Sequence, residues 1–160
     1  NYYAKTKLEA EKYVKKYKKN LIIRTNFTGF KKKNIQSTFI GWILFNIIKK
    51  NKIKLFVNMY TSTLDVYTLS KILIKLIKLD ANGIYNVAAR GCLNKKEFAL
   101  KFARNLKKEL NYEEFVLKKS SKLNRGLCMC LNVGKVEKKL DKKMISINRS
   151  IYNLSKIVKK

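Results

Sequence analysis

Short apolar runs alternate with longer amphipathic stretches along this chain, and that alternation restricts its fold more than any other feature. Apolar runs of strand length occupy residues 21–25, 53–57 and 84–88. Before each run, apolar residues recur with helical spacing, over about 3–18, 35–50 and 66–76. Parallel strands need a crossover connection, usually a helix, so this order predicts an α/β architecture with a parallel sheet.

Local signals refine the helix positions. Asp65 is a plausible N-cap for the helix that follows it, and Asn94 with Glu97 three residues later resembles a capping box. The helix that Asn94 opens is expected to end near Leu110 or Asn111. Further segments are predicted as a short strand at 115–117 and as terminal helices at 134–140 and 147–158.

The number of strands is too small for a complete sheet. Only residues 21–24 and 84–88 have the character of central, buried strands. Two such strands cannot form a stable doubly wound sheet, because both faces of a parallel sheet must be covered. We therefore expect residues 1–160 to be a single truncated domain, the second half of a larger fold.

Missing and scarce residue types exclude several chemistries. The 160 residues contain no histidine, so a Ser-His-Asp triad, a Cys-His pair and a histidine-containing zinc site are all excluded. Three cysteines are present: Cys92, Cys128 and Cys130. The last two lack the second pair that an all-cysteine zinc site requires. They are predicted to be reduced structural thiols in a cytosolic protein, with no metal site.

A formal net charge of +28 raises the question of polyanion binding. Lysine accounts for 33 of the 38 basic residues, and the lysines are dispersed, mostly near the ends of predicted elements. A solvated surface is therefore favoured over a specific nucleic-acid site, and a basic polyanion-binding module remains an alternative. No apolar stretch reaches 18 residues, and the first residues are not a basic region followed by an apolar run, as in a secretion signal. A cytoplasmic protein without a membrane span is therefore expected.

The first helix carries the clearest candidate for chemistry. Tyr3 and Lys7 form a Y-x-x-x-K motif, which places a phenol and an ammonium one helical turn apart on the same face. A free phenol has a pKa of about 10 and is a poor acid at neutral pH, but a neighbouring cation stabilises its phenolate. Such a pair can protonate a carbonyl oxygen while a hydride reaches the carbon.

Five colinear segments resemble the dTDP-4-dehydrorhamnose reductase branch of the extended short-chain dehydrogenases/reductases. The chain resembles this branch at residues 1–11, where the motif is Y-G-x-[ST]-K-x-x-[GA]-E. It also does so at residues 22–29, where the motif is I-R-T-x-x-x-G, and at residues 83–88, where the motif is G-I-Y-x-[IV]-[AS]. Two further segments match: residues 94–99 are similar to the motif S-x-x-E-F-A, and residues 125–135 are similar to the motif R-P-x-x-[CS]-L-[DN]-x-x-K. The five segments span nearly the whole chain.

The resemblance implies the C-terminal portion of a Rossmann-like fold, with few central parallel strands and a small α/β substrate-binding part. The implied activity is NAD(P)H-dependent reduction of the 4-keto group of a nucleotide-linked deoxysugar. Tyr3 would be the acid, and Lys7 would stabilise its phenolate and bond the nicotinamide ribose. Arg24 and Thr25 would lie beside the nicotinamide, and Phe27 and Arg125 would face the sugar and its diphosphate. A homodimer is compatible with this assignment.

Departures from the family pattern leave alternatives open. The family's Gly-rich phosphate turn and the Ser or Thr partner of its tyrosine lie upstream of the matched region, so NADPH or NADH is expected to bind mainly to an N-terminal half that is missing here. The family's D-x-x-x-[ST]-P segment corresponds to residues 58–63, with Asn58 in place of Asp. One alternative is that Arg24 is a structural ion-pair partner. Another is that the whole chain is a non-catalytic regulatory or scaffold subunit.

Overall fold

The computed structural model describes residues 2–31, 33–118 and 126–159. Within these ranges the α-helices are α1 (Tyr2–Lys15), α2 (Phe39–Lys49), α3 (Val66–Lys78), α4 (Lys95–Leu106), α5 (Gly134–Leu140) and α6 (Ile147–Val158). The strands are β1 (Leu21–Thr25), β2 (Phe27–Thr28), β3 (Ile53–Phe56), β4 (Tyr60–Thr61), β5 (Leu64–Asp65), β6 (Gly83–Val87), β7 (Leu93–Asn94), β8 (Tyr112–Phe115) and β9 (Cys128–Met129). A 3-10 turn, Ile35–Ser37, precedes α2.

The strands pair mostly in parallel and over short lengths. β1 pairs with β6 from Leu21 opposite Gly83 to Thr25 opposite Val87. β2 pairs with β5, and β3 with β8, also in parallel. β4 lies between an antiparallel β7 and a parallel β9. The predicted α/β class with few parallel strands is confirmed.

Helices α2, α4 and α6 form the centre of the core. Phe98 and Phe102 of α4 are almost fully buried, as are Ile43 of α2 and Leu154 of α6. Full burial of one such side chain contributes about 1.5–3 kcal/mol to folding. Helix α1, in contrast, buries none of its residues, so it depends on other contacts for its position.

Both predicted helix caps are confirmed. The Asn94 side chain accepts a hydrogen bond from the Glu97 backbone N–H at 2.8 Å, while the Glu97 carboxylate accepts one from the Asn94 N–H at 2.9 Å. Asp65 is fully buried and accepts from the Thr68 N–H at 2.9 Å. Its second oxygen accepts from the Asn153 amide at 3.1 Å, which links α3 to α6.

Three predicted elements differ from the structure. The helix that Asn94 opens ends at Leu106 rather than near Leu110 or Asn111. The helix expected at 35–50 is interrupted at Thr38, whose side chain accepts from the Gly41 N–H at 3.2 Å and starts α2 anew. The strand expected at 115–117 lies at Tyr112–Phe115 instead. Pairing with β3 fixes this register, since Ile53 lies opposite Tyr112 and Phe56 opposite Phe115. A strand's bounds are set by its partner rather than by its own apolar residues.

Gly41 explains the interruption and provides a test of it. A Cβ at this position would overlap the backbone carbonyl oxygen of Ile35 and come within 2.8 Å of its carbonyl carbon. Gly→Ala normally stabilises a helix interior by about 1 kcal/mol, but forced overlap costs about 1–3 kcal/mol. We therefore expect Gly41→Ala to lower the free energy of unfolding in urea. Gly126→Ala, whose Cβ would meet no atom of the described residues closer than 3.9 Å, is the control; a stabilised Gly41→Ala variant would contradict the packing.

The cysteines were predicted to be reduced structural thiols, and that prediction is wrong for Cys92 and Cys130. The structure joins Cys92 and Cys130 as a disulfide, with their Cα atoms 5.9 Å apart, within the range for such a bond. Cys128 is exposed and has no disulfide partner. Sequence spacing could not show this proximity, since the paired residues are 38 positions apart.

Among the described residues, no helix combines the length and apolar character needed to cross a bilayer.

Candidate active site

A groove between α1 and β1 brings together five of the six residues predicted to act in catalysis or binding. It has a volume of about 570 Å³. Tyr3 and Lys7 line it from α1, Arg24 and Thr25 from β1, and Phe27 from β2. The chain turns back after α1, and Arg24 near the carboxyl end of β1 contacts Glu11 of the helix, so both elements line one groove. The sixth residue, Arg125, lies outside the described residues.

Tyr3 and Lys7 are in contact. The Lys7 ammonium lies 5.4 Å from the centre of the Tyr3 ring, the cation–π distance expected for residues one turn apart on a helix. The tyrosine is 69% exposed, so its phenol is open to the groove and to solvent. The pair therefore has the proximity and the access that proton donation to a bound carbonyl requires.

Arg24 fastens α1 to β1. Its Nε and Nη2 donate to the two carboxylate oxygens of Glu11 at 2.7 and 2.6 Å, a bidentate pair across 13 residues of chain. The hydrogen bond from Arg24, followed by its charge, lowers the pKa of Glu11 below its usual range. The guanidinium thus positions the helix that carries Tyr3, and its predicted role beside a cofactor stays a prediction.

The ion pair gives a pH-dependent prediction. Arg24→Gln is expected to lower the free energy of unfolding by about 0.5–1 kcal/mol at pH 7, a small value because the arginine side chain is half exposed. The pKa of Glu11 is lower in the folded protein than its ordinary value of 4.5. The ion pair therefore contributes its full stabilisation above pH 4.5, and that stabilisation is lost as the pH falls through the pKa of the folded protein. Urea unfolding at pH 7 and pH 3 measures it. Arg104→Gln, at an exposed position on α4, is the control; equal losses at both pH values would contradict the assignment.

Thr25 supplies an unused hydrogen-bonding group. Its hydroxyl oxygen is buried in the groove lining and has no hydrogen-bond partner among the described residues. A buried polar group without a partner costs about 1–3 kcal/mol, and such a group at a groove wall is suited to bind a polar ligand.

A second cavity adjoins the groove. It has a volume of about 370 Å³, and Phe27 lines both spaces. Its walls are rich in threonine hydroxyls and aromatic rings, together with two lysines: Thr28, Thr38, Thr61, Thr63, Phe30, Phe39, Phe98, Lys31 and Lys95. Rings, hydroxyls and cations together suit a ligand that has a flat base, a sugar and phosphates.

Lys95 is the cavity residue that sequence reasoning missed. Burial lowers the pKa of its ammonium, which lies 4.3 Å from the centre of the Phe39 ring. No carboxylate pairs with it within the described parts of the chain. Lysine at the first position of α4 also opposes the helix dipole, which favours anions there. A lysine at the start of a helix was the sequence signal that could have identified Lys95, but 33 lysines in the chain made it hard to recognise.

Asn58 makes two hydrogen bonds that together require a side-chain amide. Its side-chain amide donates to the Leu117 carbonyl at 3.0 Å, and its oxygen accepts from the Leu117 N–H at 2.9 Å. A carboxylate could accept but not donate. The amide therefore joins the chain after β3 to the chain after β8.

Solved structures with the same fold include sugar-nucleotide enzymes. A dTDP-4-dehydrorhamnose reductase from Bacillus anthracis, in complex with NADP, aligns with a TM-score of 0.85 and 21% identity over 100% of this chain and 56% of that one. The ortholog from Clostridium acetobutylicum gives 0.83 and 16%, over 99% of this chain and 56% of that one. A UDP-N-acetylglucosamine 4-epimerase from Methanobrevibacter ruminantium, in complex with UDP-N-acetylmuramic acid, gives 0.78 and 14%, over 99% and 54%.

These similarities are structural. No protein-family model matches the sequence, and no curated protein matches it. The resemblance to the reductase branch is confirmed at the level of fold, and the chain spans little more than half the length of those structures. The same fold serves both a reductase and an epimerase, so the reaction must be inferred from the site.

Proposed function

We propose that the complete gene product reduces the 4-keto group of a nucleotide-linked deoxysugar with NADPH or NADH. This chain would supply the proton donor and the substrate cavity. The observation that carries the proposal is the shared groove of Tyr3, Lys7 and Thr25, which has Phe27 as a wall in common with the cavity that holds Lys95. Solved structures of this fold contain NADP and NADPH.

The described residues fit the nicotinamide end of such a cofactor. The unpartnered Thr25 hydroxyl and the Lys7 ammonium are hydrogen-bonding groups suited to an amide and to ribose hydroxyls. The sequence contains no Gly-rich phosphate turn, so the remainder of the cofactor needs residues beyond this chain. The bound nicotinamide supplies the hydride for the carbonyl carbon.

The chain's own residues would manage the proton and the substrate. The Tyr3 hydroxyl gives its proton to the carbonyl oxygen as that oxygen gains negative charge, and Lys7 stabilises the phenolate that remains. Solvent then reprotonates the exposed Tyr3. Arg24 and Glu11 hold α1 against β1, and Lys95 binds an anionic part of the substrate in the second cavity.

The direct test is an assay of the complete gene product with dTDP-4-keto-6-deoxy-L-mannose. We expect NAD(P)H oxidation coupled to formation of the 4-hydroxy sugar. If the folded protein binds both ligands but oxidises no NAD(P)H, the proposal is wrong.

A scaffold subunit of the same fold is the second candidate, and exposed tyrosines on and just after α1 favour it. Tyr2, Tyr13 and Tyr17 are 82%, 64% and 70% exposed, and aromatic residues are enriched at protein interfaces. A scaffold keeps its partner's affinity when Tyr3 becomes phenylalanine, whereas the enzyme loses turnover.

A further inference from the structure

Three cysteine sulfurs lie close together at the small β7-β4-β9 sheet. Cys92 directly precedes β7, Cys128 begins β9 and Cys130 follows it. Both outer strands pair with β4: Thr61 lies opposite Leu93 on one side and Met129 on the other. The sheet thus joins segments far apart in sequence and places the three Sγ atoms within 4.8 Å of one another.

A disulfide accounts for only part of this arrangement. The Cys92–Cys130 bond uses two of the three sulfurs and leaves Cys128 with no assigned role. A nucleophilic role for Cys128 lacks support, because the chain has no histidine to act as its base. Three converging sulfurs are what a thiophilic cation requires.

The spacing and the charge suit zinc. Zn–S bonds are about 2.3 Å long, so the sulfurs of a tetrahedral site are about 3.8 Å apart. The three sulfurs lie within 4.8 Å of one another, and once the Cys92–Cys130 bond is reduced its two sulfurs move apart to reach that spacing. Cys92 and Cys128 are exposed and Cys130 is partly exposed, which gives access to an ion and to a water ligand. Three thiolates and one Zn²⁺ carry a net charge of −1, which the net +28 of the chain favours.

We propose that, in the reduced chain, Cys92, Cys128 and Cys130 bind one Zn²⁺ through three thiolates, with water as the fourth ligand. A dithiol reductant first converts the Cys92–Cys130 bond to two thiols and is itself oxidised to a disulfide. Zinc binding then displaces the three thiol protons to solvent and changes no oxidation state. The site joins the segment before β7 to β9, and the Met129 carbonyl of β9 accepts from the Asn26 amide at 3.0 Å. Asn26 and Thr61 line the second cavity, so the metal would stabilise the part of the cavity wall that these two residues form.

Zinc binding to the complete gene product, kept reduced with a phosphine, tests the proposal. Zn²⁺ is titrated in competition with a chromophoric chelator, and Co²⁺ is used to detect thiolate-to-metal charge-transfer absorption. We expect one tightly bound zinc, lost in a Cys92→Ser/Cys128→Ser/Cys130→Ser variant, and an affinity about 100-fold lower in Cys128→Ser. Met129→Leu, on the same strand, is the matched control and should bind zinc like the parent.

Cys128→Ser is decisive because it keeps the Cys92–Cys130 pair. An unchanged zinc affinity in this variant, or a reduced parent that binds no more zinc than the triple variant, would overturn the proposal. Circular dichroism establishes that the variant is folded, as expected for a substitution at an exposed position.

Discussion

Replacing Tyr3 by phenylalanine is expected to lower kcat of the complete gene product about 10²–10⁴-fold, the usual contribution of a positioned general acid. The aromatic ring and its contact with Lys7 remain, so KM for the keto sugar should change little. Steady-state NAD(P)H oxidation measures both constants. A fall in kcat without a rise in KM identifies an interaction made only in the transition state.

Tyr2 provides the matched control. It is the adjacent tyrosine, 82% exposed, and it is absent from the groove lining. Tyr2→Phe should leave kcat unchanged, and Lys7→Met should lower kcat because it removes the cation that stabilises the phenolate. Equal kcat values for Tyr3→Phe and Tyr2→Phe would remove Tyr3 from the mechanism.

Replacing Lys95 by methionine is expected to weaken binding of the sugar nucleotide about 30-fold or more. The substitution keeps most of the apolar volume but leaves an anionic group without its partner in a mostly buried site. Isothermal titration with the sugar nucleotide measures the change in Kd. Lys71→Met, at an exposed position of α3, is the control and should leave Kd unchanged.

The same substitution is expected to stabilise the fold by about 1–2 kcal/mol at pH 7. Burial lowers the native pKa of Lys95 below its unfolded value of 10.5, so the unfolded chain binds more protons between the two values. The cost of burying the charge is present below the native pKa and disappears as pH rises to 10.5. The advantage of Lys95→Met should therefore vanish at high pH. Weaker binding without stabilisation would indicate a solvated lysine instead.

The order of elements was readable because the signals are local. The capping box at Asn94 and the helices at 134–140 and 147–158 depend on residues within a few positions of one another, and all three are confirmed. The 35–50 region was misread because its helical periodicity runs through Thr38. The Ile35 carbonyl lies where a side chain at position 41 would be, which periodicity does not encode.

The residues of the candidate site also separate into those that local sequence signals identified and those that only the packing revealed. Tyr3 and Lys7 were found because residues four apart on a helix are neighbours by geometry alone. Lys95 was not, since its burial against Phe39 depends on how α2 and α4 pack. The pairing of Arg24 with Glu11 across 13 residues was open in the sequence, where a cofactor contact and an ion pair were equally reasonable.

The sequence by itself determined the α/β class, the helix starts and the phenol–ammonium pair, because each depends on the chemistry of a few adjacent residues. Only the tertiary structure decided which side chains meet across long separations: the groove between α1 and β1, the buried Lys95 and the convergence of Cys92, Cys128 and Cys130. The physical reason is that strand pairing and helix packing join distant segments, and the identity of those partners is not written in any local pattern.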